Sequence, residues 1–284
     1  MGQMLTDASE PVNLLYYGEG GSGKSTALCG LANLGKVLLI NAEVGIKRRP
    51  LEALGVNVGN IEVFPGPKEQ LTVTTVKAEL LRVREALDKK PEAYVGVLID
   101  SLTDLYQNLL RQVVTKQVLR AERNGRERDE YMVEQQDYGI MTEQVRDIMR
   151  IARDLPCHLG VTALTRRQQD SDGTVSYGPA ITPGLQNDLD LWMDIVAHTS
   201  VTRVGNDDEY RARFRAEGLY RGKDRFHVLP RGIIDPSFDR IIAYVDGDLT
   251  VEDDFVMQSA LAKRKALAGE VADEVVAEEA AVAA

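Results

Sequence analysis

Tyr16-Tyr17-Gly18-Glu19-Gly20-Gly21-Ser22-Gly23-Lys24-Ser25-Thr26 decides how the chain is read. Gly18, four intervening residues, then Gly23-Lys24-Ser25 satisfy the spacing of a phosphate-binding loop. The flanks have the order that such a loop requires. Val12 to Tyr17 is a short apolar run suited to a buried strand, and Ser25 to Leu34 carries apolar residues at helical spacing. Wrapping phosphate oxygens in successive backbone N–H groups needs conformations closed to residues with a Cβ, hence Gly18, Gly20, Gly21 and Gly23. The following helix N-terminus adds partial positive charge at the same anion. Glu19, Ser22 and Thr26 complete the cradle, Lys24 is placed to reach the β- and γ-phosphates, and the Ser25 hydroxyl is a ligand for Mg²⁺. The expected cofactors are therefore ATP and Mg²⁺. A turn that merely joined a strand to a helix would need neither the lysine nor the hydroxyl.

Two further apolar runs end in carboxylates. Val37 to Asn41 reads as a strand leading to Ala42-Glu43, and Tyr94 to Ile99 as a strand leading to Asp100-Ser101. Carboxylates at the ends of parallel strands project into the crevice where open α/β sheets bind ligands. Asp100, downstream of the phosphate loop, is placed to hold Mg²⁺ through its water shell. Glu43 is either a general base for the attacking water or an ordinary surface glutamate in a strand-to-loop turn.

With 284 residues, 44% of them hydrophobic, the chain has ample material for a large α/β core. The N-terminus, Met1 to Glu10, is polar and acidic, without the apolar region of a signal peptide, and a cytoplasmic protein is expected. Cys29 and Cys157 are too few for a disulfide framework and read as buried thiols. His158, His198 and His227 are too scattered to suggest a metal cluster. The net charge of −10 opposes wholesale nonspecific binding to nucleic acid, yet leaves room for a local basic channel.

Between these landmarks the pattern predicts a strand over Asn60 to Phe64 and helices over Thr74 to Lys89, Leu102 to Leu119 and Tyr138 to Leu155. A buried strand is expected over His158 to Leu164, then a polar loop from Gln168 to Gln186. Short strands over Ile195 to Val201 and Tyr210 to Ala216 suggest an antiparallel extension, and Ile241 to Val245 is a last apolar run. Arg120, Arg123, Arg126 and Arg128, with Tyr131, suit a sugar-phosphate backbone and a stacked base; interleaved Glu122, Glu127, Asp129 and Glu130 suit a solvated face equally well.

Taken in order, these motifs resemble the RecA-type recombinase ATPases, most closely the short phage members that consist of the core alone and act in single-strand annealing. The resemblance spans roughly residues 10 to 247 and rests on Gly18 to Thr26, Val37 to Glu43, Leu98 to Ser101, Gly160 to Thr165 and Lys223-Asp224-Arg225. It implies an α/β fold with a RecA-like P-loop core, a mostly parallel twisted sheet flanked by helices, and an antiparallel extension toward the C-terminus. It implies that Glu43 is catalytic, and that Lys223 and Arg225 act on a neighbouring subunit's γ-phosphate. A homo-oligomer, ring or filament, follows from that role. By position, Arg123, Arg126 and Arg128 fall in the first DNA loop, and Arg166, Arg167 and Tyr177 in the second. Thr162 or Thr165 stands where the family usually has a glutamine sensor.

The expected organisation is a tail over 1–10, a core over 11–250 and a C-terminal helix or acidic tail over 251–284, in which Lys263-Arg264-Lys265 precede a run of acids. The expected activity is DNA-dependent ATP hydrolysis that promotes annealing or recombination on single-stranded DNA, with a single-strand binding protein as a further partner. The alternative is a nucleotide-gated loader or switch that acts on a protein partner without DNA.

Overall fold

Continuous apolar runs become the middle strands of one sheet, because strands covered by helices on both faces need no polar side. The computed structural model describes residues 10–169, 173, 175–205 and 207–253. Most of the N-terminal tail, and the basic and acidic segments of the C-terminus, lie outside the described residues.

The chain runs β1 (Asn13–Gly18), α1 (Lys24–Cys29), β2 (Val37–Asn41), α2 (Arg48–Ala53), β3 (Ile61–Phe64), α3 (Val73–Lys89), β4 (Gly96–Asp100) and α4 (Leu102–Arg123). It continues through α5 (Gln135–Arg153), β5 (His158–Gln169), β6 (Val175–Pro179), α6 (Pro183–Trp192), β7 (Ile195–Val204), β8 (Asp207–Arg213), β9 (Lys223–Asp224), β10 (Gly232–Ile234) and α7 (Phe238–Asp246). The main sheet has the order β10-β8-β7-β1-β5-β4-β2-β3. From β7 to β3 every neighbouring pair is parallel. β8 and β10 extend it antiparallel, as the alternating pattern and the turn near Gly205 predict.

Alternate residues of the strands enter two cores. Leu15, Tyr17, Leu38, Ile40, Val97, Ile99, Leu159 and Val161 face α3, α4, α5 and α6. Leu14, Tyr16, Val37, Leu39, Leu98, Phe214 and Ile233 face α1, α2 and α7. Both cysteines are buried, and burial pushes both thiols up to about 12. No described helix is long and apolar enough to cross a membrane.

Several elements depart from the sequence reading. The first helix ends at Cys29, and Gly30–Asn33 tightens into a 3-10 turn. α5 starts at Gln135 rather than Tyr138, because Glu134 and Asp137 form a reciprocal capping box. β5 continues five residues past Leu164 and is paired by β6, so the polar stretch expected as a loop is largely a β-hairpin. α6 begins with Pro183 at its first turn, where proline starts a helix as readily as it marks a loop. The run at Ile241 to Val245 lies in α7, which ends where Gly247 takes a left-handed conformation.

Candidate functional site

The parallel order puts β5 between the phosphate-loop strand β1 and β4, and a cavity opens over the loop that follows β1, with Leu164 of β5 in its lining. The cavity holds about 650 Å³, and its lining includes Gly20 to Ala27 together with Glu43.

The loop follows the expectation at Gly18, where a Cβ would lie 2.3 Å from Thr199 O, and at Gly21 and Gly23, whereas Gly20 has neither a positive φ nor a neighbour that a Cβ would meet. Gly21 and Gly23 have φ of 78° and 80°, closed to most residues with a Cβ. Gly23 has a second constraint: a Cβ there would lie 2.8 Å from the Tyr210 ring of β8. Lys24 Nζ donates to Glu19 O at 2.7 Å and Gly18 O at 3.1 Å, so the ammonium is folded over the loop. Burial lowers its pKa, while Glu43, Asp100 and Glu19 oppose that shift. Strand β7 fastens the loop from the other side, where the Ser22 and Thr199 hydroxyls meet at 2.8 Å and Thr199 also donates to Tyr17 O at 3.2 Å.

Asp100 is 1% exposed. Its Oδ1 accepts from Ser25 at 3.0 Å and from the Thr162 hydroxyl of β5, whereas its buried Oδ2 has no hydrogen-bond partner among the described residues. Burial raises this carboxyl's pKa against the hydrogen bonds from Thr162 and Ser25 and the charge of Lys24. A buried, unpartnered carboxylate oxygen beside a serine hydroxyl fits a hard divalent cation whose remaining ligands are water and phosphate oxygens. Among the described residues there is no cluster of three or more His, Cys, Asp or Glu that could hold a metal.

Glu43 is held by its own backbone. Ala42 N and Glu43 N donate to Asp100 O at 2.7 and 3.2 Å, and Val44 N donates to Asn41 Oδ1 at 3.0 Å. Val44 has φ of 59°, a costly conformation for a β-branched residue, which the Asn41 hydrogen bond helps to maintain. The Glu43 carboxyl has a raised pKa, first from desolvation and then from the Asp100 and Asp104 charges, with Lys24 opposing. A carboxylate with a raised pKa beside a phosphate cradle has the chemistry of a general base.

The remaining residues singled out in the sequence are dispersed. Lys223 Nζ donates to Asp190 O at 2.7 Å and Met193 O at 2.6 Å at the C-terminal end of α6. Arg225 pairs with Asp194 Oδ1 at 2.5 Å and donates to Leu191 O at 3.1 Å. Within one chain, then, neither lines the cavity of Lys24 and Glu43. Arg123 ends α4 and Arg126 follows it, both exposed. Arg128, expected at the DNA, is turned inward instead. Its side chain is 8% exposed and pairs with the wholly buried Asp137, at Oδ2, and with Glu134, which gives a carboxylate in the interior a compensating charge. Arg166 and Arg167 are exposed on β5. Tyr177 is half-buried, one step of a column in which it stacks on Tyr220 at 5.0 Å and Tyr220 on His198 at 3.9 Å. One face of its ring is therefore already spent. Of the two threonines expected at the sensor position, Thr162 reaches Asp100, while the Thr165 hydroxyl is buried without a hydrogen-bond partner among the described residues.

The sequence reading missed Tyr210, Thr199 and Asp235 to Ser237, all at or beside the cavity. Tyr210 and Asp235 to Ser237 come from the antiparallel extension or its end, whereas Thr199 comes from β7, the parallel neighbour of β1, and no local pattern signals that the extension folds back over the loop.

A family model described as an AAA domain matches residues 10–226, about three quarters of the chain. No curated protein matches it. The chain belongs to this AAA-type family of P-loop ATPases.

Proposed function

We propose that the chain is a RecA-like, Mg²⁺-dependent ATP hydrolase whose turnover is coupled to single-stranded DNA and serves strand annealing or recombination. The observation that supports the coupling is the continuity of β5. Within one strand, Thr162 is bonded to Asp100, the Leu164 N–H donates to Thr103 Oγ1 at 3.0 Å beside the cavity, and Arg166 and Arg167 stand exposed on the hairpin. A change at the carboxylate thus has a path of a few residues along one strand to two exposed cations suited to a phosphate backbone.

In this reading the loop N–H groups and Lys24 bind the phosphates, and Glu43 orients the attacking water and takes its proton. Ser25 and Asp100 would hold Mg²⁺, and the chemistry it would supply there is neutralisation of charge on the phosphate oxygens. Arg225, whose side chain is 53% exposed, retains surface for a neighbouring subunit; Lys223 would have to leave the end of α6 to join it. Completion of the site between subunits makes the rate depend on assembly, since an arginine supplied in this way is worth about 10³ to 10⁵ in rate.

The test is steady-state ATP hydrolysis against protein concentration, with and without single-stranded DNA. DNA should raise the rate, specific activity should climb with concentration, and Arg166→Ala with Arg167→Ala should remove the DNA response. Turnover indifferent to DNA and concentration would overturn the coupling. It would favour instead a nucleotide-gated switch for a protein partner, a reading helped by the net charge of −10 and by the inward turn of Arg128.

A further inference from the structure

The cavity continues beyond the phosphate loop. Its far end is formed by Asn33, by Pro50, Leu54 and Val56 in and after α2, and by Asp235, Pro236 and Ser237 between β10 and α7. From Lys24 to Asn33 the chain rises roughly 15 Å through one helix and one 3-10 turn, comparable to the reach of an extended nucleoside triphosphate.

Asn33 fixes the two walls. Its Oδ1 accepts from Asn57 N at 2.9 Å on the α2 side, and its Nδ2 donates to Asp239 Oδ2 at 2.8 Å on the α7 side. Gly30 lets the second wall close in, because a Cβ there would meet Ser237 Oγ at 1.9 Å. The lining of this end is apolar at Leu54, Val56 and Pro236, a composition suited to a heterocycle.

The polar groups of this end are nearly all committed to one another. Asn33 is bonded through both ends of its amide, and Ser237 Oγ donates to Asp239. Asp235 differs. Its backbone N–H donates to Tyr210 O at 2.7 Å, and its φ of 50° holds it in a left-handed turn, but its carboxylate makes no hydrogen bond or ion pair among the described residues. An ionised carboxylate accepts and never donates.

The geometry points to Asp235 as the residue that reads the base, selecting a purine whose edge presents an amino donor, adenine, over hypoxanthine, which presents a carbonyl oxygen at that position. This rests on the ATP reading above and adds the source of base selectivity. The adenine amine donates to the Asp235 carboxylate, whereas the carbonyl of the inosine nucleotide faces it with like polarity. A site that hydrogen-bonds its ligand discriminates strongly against an analogue that leaves its polar group unpaired.

The test is kcat/KM for ATP and for ITP on the full chain, alone and as Asp235→Ala and Asp235→Asn. The wild type should prefer ATP about tenfold or more, the scale of one hydrogen bond to a charged group. Asp235→Ala should bring the ratio close to one, and Asp235→Asn, whose amide can donate to the carbonyl, should favour ITP relative to Asp235→Ala. A wild type that uses ATP and ITP equally, or a ratio untouched by Asp235→Ala, overturns the assignment while leaving the ATPase intact. A wild type that hydrolyses neither removes the ATPase reading itself.

Discussion

The Ser25 hydroxyl donates to Asp100 Oδ1 at 3.0 Å, joining the first turn of the phosphate-loop helix to the end of a strand 75 residues away. Thr162 donates to the same oxygen from β5, which leaves Oδ2 as the uncommitted face of the carboxylate. The hydroxyls therefore orient Asp100 before any cation arrives.

That arrangement makes Thr162 a positioning residue. Thr162→Val keeps the shape of the side chain and removes the hydrogen bond, so the apparent Mg²⁺ affinity in nucleotide turnover should fall by about 10- to 100-fold. Titrating Mg²⁺ at saturating ATP measures this. A purely structural role would lower stability without moving the Mg²⁺ midpoint.

Glu43→Gln should bind nucleotide as the wild type does and lose about 10² to 10⁴ in turnover. The pH profile offers a separate check. Desolvation and the Asp100 and Asp104 charges raise the Glu43 pKa, so the basic form is lost as pH falls through a value above the ordinary glutamate, about 4.3. The acid limb of kcat/KM should accordingly lie above that value, and an unchanged rate in Glu43→Gln would take the residue out of the mechanism.

His198 is pushed down to about 4 by burial, with the Arg213 and Lys24 charges adding to the effect. Its folded pKa is below the unfolded one, about 6.5, so the unfolded chain binds the extra proton first. Its contribution is intact above about 6.5 and is lost as pH falls from there through about 4. Thermal unfolding across that window should be less pH-dependent in His198→Phe than in the wild type.

Arg128→Ala should cost about 3 to 5 kcal/mol, because it leaves the buried Asp137 carboxylate without its cation, with only the Glu134 backbone N–H still donating to it. Arg126→Ala, at an exposed position, should stay within about 0.5 kcal/mol. Denaturant unfolding of the two variants separates the structural arginine from the surface one.

Much of this was legible because short-range rules govern it. The phosphate loop needs glycines, a lysine and a hydroxyl at fixed spacing, and apolar strands ending in Glu43 and Asp100 bring their carboxylates to one edge of a parallel sheet. The hairpin of β5 and β6 was not legible, since Arg166 to Gln169 carry no apolar alternation and their pairing is supplied by a partner strand with Gly178 and Pro179. The inward turn of Arg128 depends on Asp137, nine residues on, and charge alternation looks the same whether the pair is buried or solvated. Tyr210 and Asp235 reach the cavity only because the antiparallel extension returns to the loop, a tertiary fact without a local signature.

The most direct measurement is steady-state ATP hydrolysis with Mg²⁺ by the wild-type chain beside Lys24→Ala and Asp100→Ala. The account predicts turnover by the wild type, loss of activity in both variants, and none without Mg²⁺. Hydrolysis that survives either substitution would contradict it, because the activity would then come from somewhere other than the site where Ser25, Asp100 and Glu43 meet.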